Sequence, residues 1–317
     1  MKKNLQKRLA LSLIELMVVI AIIGILIGIL LPAVQKIRSV AARISCKNNQ
    51  HQLGLAFMMY HDSENHFPPG SQFIYGEIGT FTAQMSHLAY LLPYLDQQAL
   101  WDGLDNVDQP VNPKTGLHQE PNFVANETLR VFSCPADNQV REMFPWPFPF
   151  TEYTHYYGLT SYIGSSGYRN YGVSKNIGNG IFYAGSKVRI LEITDGTSNT
   201  IMNGERPPVL SYNLLYPFGF WEGLYIPGIW HNYPILGVRD RCDIQQCPNR
   251  CASIIQHYQN GKIGDFCDAF HFWSLHEGGS NFLFADGSVH FLPYAADSIM
   301  PFLASRAGGE VIPNGFY

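Results

Sequence analysis

Across 317 residues only 15% are charged and 14% are aromatic, with 29 glycines and 20 prolines, a composition that excludes a disordered chain and favours short strands and turns over a helical bundle. The formal net charge of −4 excludes a general nucleic-acid binder, because affinity for phosphates needs a basic field. The length suits one large domain or two modest ones.

The chain opens MKKNLQKRLALSLIELMVVIAIIGILIGILLPAVQKIR. Residues 16–34 carry no charge and would span about 28 Å as a helix, close to a bilayer's hydrocarbon core. A cleaved secretory signal is shorter and ends in small residues before an unrelated mature domain. Here the helical spacing continues instead: Val34, Ile37, Ala41 and Ile44 share one face, and Leu53, Ala56, Phe57 and Tyr60 repeat the pattern. The spacing predicts one helix over residues 11–62, membrane-spanning over about 11–34 and amphipathic beyond. Pro32 removes a backbone hydrogen bond and predicts a kink, while Gly24 and Gly28 offer a small face for close helix approach. Four basic residues precede the span and four follow it, so charge does not set its orientation. Glu15 lies at its front edge, where an unpaired carboxylate in lipid is costly and marks a functional position.

The basic leader, the stretch Ala10, Leu11, Ser12, Leu13, Ile14, Glu15 and the apolar helix resemble the prepilin-type N-terminus of type IV pilins and type II secretion pseudopilins. The resemblance implies a leader of residues 1–10, removed by a prepilin peptidase between Ala10 and Leu11, and N-methylation of Leu11. The family prefers glycine before the cut, and this chain has Ala10. It also implies a partner for Glu15, the terminal ammonium of a neighbouring subunit; without it, Glu15 would snorkel to the headgroups beside Arg8. The implied partners are the peptidase, other pilin-like subunits through the stem, and inner-membrane lipid. The implied location is the bacterial inner membrane, single-pass with the head outside the cytoplasm, then a periplasmic or surface filament.

Beyond the stem, Pro68, Pro69 and Gly70 end the helix, and a head over residues 63–317 begins. SHLAYLLPYLDQQALWDGL predicts one further helix, split or opened by Pro93. FPWPFPF, residues 144–150, reads as turn and polyproline packing or as an aromatic contact surface. GNGIFYAG, KVRILEITDGTSNTIMNGER and SNFLFADGSVHFLP read as strands and turns. In the last, Asp286 and Gly287 predict a two-residue hairpin turn that pairs Phe284 with Val289 and Phe282 with Phe291 on a core face, leaving Leu283, Ala285, Ser288 and His290 on the other. Asp195 and Gly196 form a second Asp-Gly pair.

His276, nine residues, then Asp286 and Gly287 resembles the His-x9-Asp-Gly signature of a large group of bacterial proteins of unknown function that begin with prepilin-type stems. HLAYLLPYLDQQALW, FSCPAD and DGTSNTIMNGER are similar to other recurrent blocks of that group. The implied fold is α+β and pilin-like: a long N-terminal helix packed on an antiparallel sheet, with a large loop-rich head. The implied function is structural, as a minor or tip subunit of a filament. Two rivals are a non-polymerising membrane-anchored binder and a tethered hydrolase.

Six cysteines occur. Outside the cytoplasm an even count favours disulfides, with Cys46 and Cys134 the preferred pair among fifteen connectivities. Cys242, Cys247, Cys251 and Cys267 suit two bridges in an insertion over residues 240–268; their spacing lacks the paired C-x2-C knuckles of zinc sites. His257, His271, His276 and His290 lie in sequence near Asp265, Asp268 and Asp286, and Ser274, His276 and Asp286 are triad residue types without a nucleophile elbow. A hydrogen-bonding role for His276, holding a turn near Asp286, is the preferred reading, with no catalytic site and no cofactor. Calcium near Asp195 or Asp286 is an option that no ligand spacing specifies.

Overall fold

The structure is a computed structural model and describes residues 13–75, 81–104, 127–138, 144–147, 154–169, 178–208, 235–240 and 255–311. The chain divides into two compact units, Met1–Ala42 and Arg43–Tyr317, and the division falls inside helix α1, Leu13–Glu64. In the first unit α1 includes Pro32, and its large apolar side chains are exposed throughout; Ile27, for example, is 58% exposed. Val34 and Ile37 are exposed too, as is Ile44 in the second unit, so this half of the predicted amphipathic face is not covered by the chain itself. The buried stripe starts at Cys46 and runs through Gln50, Leu53, Gly54, Ala56, Phe57 and Tyr60. The helix stops where Asn65 takes a left-handed φ of 61° and its N–H donates to the His61 carbonyl at 2.7 Å, a common helix ending.

Nine strands follow among the described residues: β1 (Ser71–Tyr75), β2 (Phe81–Ser86), β3 (Phe144–Pro147), β4 (Thr154–Tyr157), β5 (Tyr162–Gly167), β6 (Ile201–Glu205), β7 (Ile235–Gly237), β8 (Gly279–Phe284) and β9 (Val289–Pro293). β1 and β2 form an antiparallel ribbon, as do β3 and β4. Residues 144–147 are thus paired strand, not turn or polyproline; with two strands each is an edge, where proline's missing N–H is tolerated. The central sheet has the order β7-β5-β6-β8-β9. It is mixed and not purely antiparallel, because β7 pairs parallel to β5.

Both faces of this sheet are buried, in contrast to the one core face expected. Successive strand residues alternate between two apolar clusters: Tyr162, Met202 and Leu283 lie with α1 residues Leu53 and Phe57, while Ile163, Ile201, Phe282 and Phe284 lie with Met300 and Leu303 of helix α3, Met300–Ala304. An α+β, pilin-like architecture results.

The predicted 86–104 helix is a 3₁₀ helix, Ala89–Leu95, and a short helix α2, Gln98–Leu104. The break lies at Asp96, in a left-handed conformation (φ 57°), not at Pro93. KVRILEI is likewise not strand: Ile190–Glu192 is a 3₁₀ turn, and the Glu192 carboxylate accepts from the Arg189 N–H at 2.7 Å.

The β8–β9 hairpin corrects the predicted register. Leu283 pairs with Val289, Phe282 with His290 and Asn281 with Phe291. Gly287 N–H donates to the Phe284 carbonyl at 2.9 Å, and Phe284 N–H donates to the Ser288 carbonyl at 2.9 Å, closing a three-residue loop. Only Gly287 takes a positive φ (82°), whereas a two-residue turn would require Asp286 to do so as well. Asp286 instead accepts the Ser288 N–H on Oδ1 at 2.9 Å. The slip places His290 with Phe284 (ring centroids 5.1 Å) and Phe291 under the Arg43 guanidinium at 4.7 Å.

Candidate functional site

Four sequence-distant side chains meet in the interior of the second unit. Cys46 on α1 and Cys134 in FSCPAD are joined by a disulfide, with Cα atoms 5.1 Å apart. His276 Nε2 lies 3.4 Å from Cys134 Sγ and 3.5 Å from Oε1 of Glu205, the last residue of β6. All four are buried, Glu205 at 1% exposure and His276 at 4%, and their potential ligand atoms lie within 4.8 Å of one another.

Each is held by its own backbone context. The Cys134 N–H donates to Ser161 Oγ at 3.0 Å. Asn49, one turn after Cys46, donates to the carbonyl of Ser133 at 2.9 Å, so α1 and FSCPAD are stitched side by side. Glu205 accepts from the Asn281 N–H and its side-chain amide, both at 2.9 Å, which bridges β6 to β8 and orients the carboxylate. His276 N–H donates to Ser274 Oγ, which itself donates to the Gly279 carbonyl at 2.7 Å. Tyr162 lies in the same core, and burial, with Glu205 second, pushes its phenol well above the usual range.

His276 and Asp286 are not partners. They stand beyond opposite ends of β8, whose six residues rise about 3.3 Å each, so His276 does not hold the turn at Asp286. The turn is held by the other Asp-Gly block: Asp286 N–H donates to the Thr197 carbonyl at 3.1 Å and Ala285 N–H to that of Thr200 at 2.9 Å. Asp195 in turn accepts the N–H groups of Gly308 and Gly309 at 2.7 and 2.8 Å, and Gly196 has φ 98°. The two Asp-Gly pairs are thus a latch that ties hairpin, loop and C-terminal segment together.

The remaining histidines disperse. His257 pairs with Asp297, His271 with Asp268, and His290 with Ser288, while Asp265 caps Cys267 N–H. Ser274 is buried with its hydroxyl committed to the backbone, so Ser274, His276 and Asp286 do not assemble as a triad. Cys267 is disulfide-bonded, and Cys242, Cys247 and Cys251 lie outside the described residues, as do Ala10 and Leu11. Glu15 lies in the first turn of α1, and an added Cβ at Gly24 or Gly28 would meet nothing within 4 Å. Sequence reasoning missed Glu205. Its signal was an acid closing the short strand IMNGE just after the Asp195–Gly196 pair.

Residues 35–298 match the family described as protein of unknown function (DUF1559), and residues 5–31 match the prokaryotic N-terminal methylation motif. The first match covers well over half of the chain, which therefore belongs to that family. The second marks a prepilin-type processed protein, membrane-anchored by its N-terminal apolar helix. No curated protein and no solved structure matches the chain.

Proposed function

We propose that this family member is a subunit, as a minor or tip component, of a type IV pilus-like or type II secretion pseudopilus filament. A prepilin peptidase cuts it between Ala10 and Leu11 and Leu11 is methylated; the head lies outside the cytoplasm and the stem in the inner membrane until assembly. The observation that carries this reading is the surface of residues 13–34, apolar on all sides, exposed along its length, and with Glu15 as its one acidic residue. Lipid covers such a surface before assembly, and neighbouring stems cover it after. In the assembled filament the carboxylate near its front pairs with a neighbouring subunit's new N-terminus.

Glu15→Ala tests the assembly step: filament incorporation is lost while membrane insertion stays normal. Unchanged incorporation would overturn the assembly role of Glu15, whereas absence of the wild-type chain from filaments, with its surface function unaltered by Glu15→Ala, would overturn the filament reading and leave a non-polymerising anchored binder. Mass spectrometry of the mature protein should find methylated Leu11 at the N-terminus, and an intact Met1 would overturn the processing step.

A further inference from the structure

We propose that Cys46, Cys134, Glu205 and His276 form a buried zinc site when the Cys46–Cys134 bond is reduced. Tetrahedral zinc holds sulfur at about 2.3 Å and imidazole nitrogen or carboxylate oxygen at about 2.0–2.2 Å, which sets the four ligand atoms roughly 3.3–3.8 Å apart. His276 Nε2 already stands 3.4 Å from Cys134 Sγ and 3.5 Å from Glu205 Oε1, and all four candidate atoms lie within 4.8 Å of one another. Separation of the two sulfurs is the main movement required. Two thiolates, one imidazole and one carboxylate are a donor set that suits zinc over magnesium or calcium, which prefer oxygen alone.

Supports for the ligands are in place as well. Asn281 fixes Glu205 through two hydrogen bonds, and oxygen lone pairs remain for a metal; Ser274 and Ser161 fix the backbones of His276 and Cys134. Three of the four residues come from separate stretches of the chain, FSCPAD, DGTSNTIMNGER and the segment that opens at His276, which gives these stretches one shared point in space.

The chemistry balances with a dithiol as reductant. It delivers two electrons and two protons, the Cys46–Cys134 bond breaks to two thiols, and the dithiol becomes a disulfide. Zinc binding then releases two thiol protons to solvent. The zinc-bound form would keep α1 clamped to the head where the disulfide does so in the oxidised form.

The test uses the full-length chain in detergent, either oxidised or reduced by a dithiol that is then removed by anaerobic desalting. Cobalt(II), as a spectroscopic stand-in, and zinc are titrated into wild type and Cys46→Ser, which retains the other cysteines. The expected result is one more equivalent bound by reduced wild type than by reduced Cys46→Ser. That equivalent should show the intense visible bands of tetrahedral cobalt with thiolate charge transfer, and it should be absent from oxidised wild type. Zinc should raise the melting temperature of reduced but not oxidised wild type. His276→Gln and Glu205→Gln, each checked for native circular dichroism when oxidised, should each weaken this equivalent at least tenfold. Equal stoichiometry in wild type and Cys46→Ser would overturn the proposal, as would undiminished affinity in whichever of the two ligand variants folds.

Discussion

Helix α1 has two halves that solve different problems with similar residues. Residues 13–34 carry Leu, Ile and Val on every side and bury none of them within the chain, whereas from Cys46 onward one stripe is buried and the rest is mostly polar, exposed Leu55 and Met59 apart. The difference teaches that apolar content alone does not say what a helix packs against. An all-round apolar surface asks for lipid or other helices, while a stripe with Gln50 and Gly54 in it asks for a particular sheet. Gln50 donates to the Asn281 carbonyl at 3.0 Å, and a Cβ on Gly54 would come 2.8 Å from Leu283 Cδ1 and 3.3 Å from Gly287 Cα.

The largest effect that would break this contrast comes from the disulfide. The Cys46→Ser/Cys134→Ser double variant frees a closed loop of sequence separation 88, and metal-free chemical denaturation should register a loss of about 4–5 kcal/mol. Close behind is Phe57→Ala, which empties a fully buried site between His87 and Phe182 and should cost the head about 3–4 kcal/mol in the same assay. A loss below about 1 kcal/mol would mean that the back half of α1 is not a core element.

His87 supplies a smaller, pH-dependent effect. Burial pushes its imidazole down to about 3, from 6.5 when exposed. Below pH 6.5 the unfolded chain therefore binds a proton that the folded one refuses. The stabilisation is complete above that pH and fades as pH falls toward 3, by up to about 1.4 kcal/mol per pH unit. His87→Phe should flatten this part of the profile between pH 7 and pH 4.5; an unchanged slope would show that His87 is not held neutral. The smallest effect is expected for Ile27→Ala. It lies in the exposed front half and should leave head stability within about 0.5 kcal/mol of wild type, and a larger shift would erase the distinction between the halves.

Much of this was legible in the chain. The stem was, because a 3.6-residue period and an uncharged run are local patterns. The Cys46–Cys134 pair was, because one cysteine lies on the stem and the other in the head, where a bridge would tie the two together. The hairpin was legible in place but not in register: both candidate turns contain Asp286 and Gly287, and the choice between them rests on one backbone angle and on the amides that Thr197 and Thr200 capture. The second buried face of the sheet was hidden because β8 reads equally well as half-buried or fully buried until α3 is seen against it.

By itself the sequence determined the apolar N-terminal helix, its processing motif, the end of the stem near residue 64 and the presence of a β-rich head, all of which follow from short-range periodicity, charge and backbone sterics. Only the tertiary structure decided that Glu205 and His276 meet the Cys46–Cys134 bond, that His276 and Asp286 part company, and that β7 runs parallel to β5. Those outcomes depend on contacts between residues tens to hundreds of positions apart, and burial energy, which selects among such contacts, leaves no local mark on the chain.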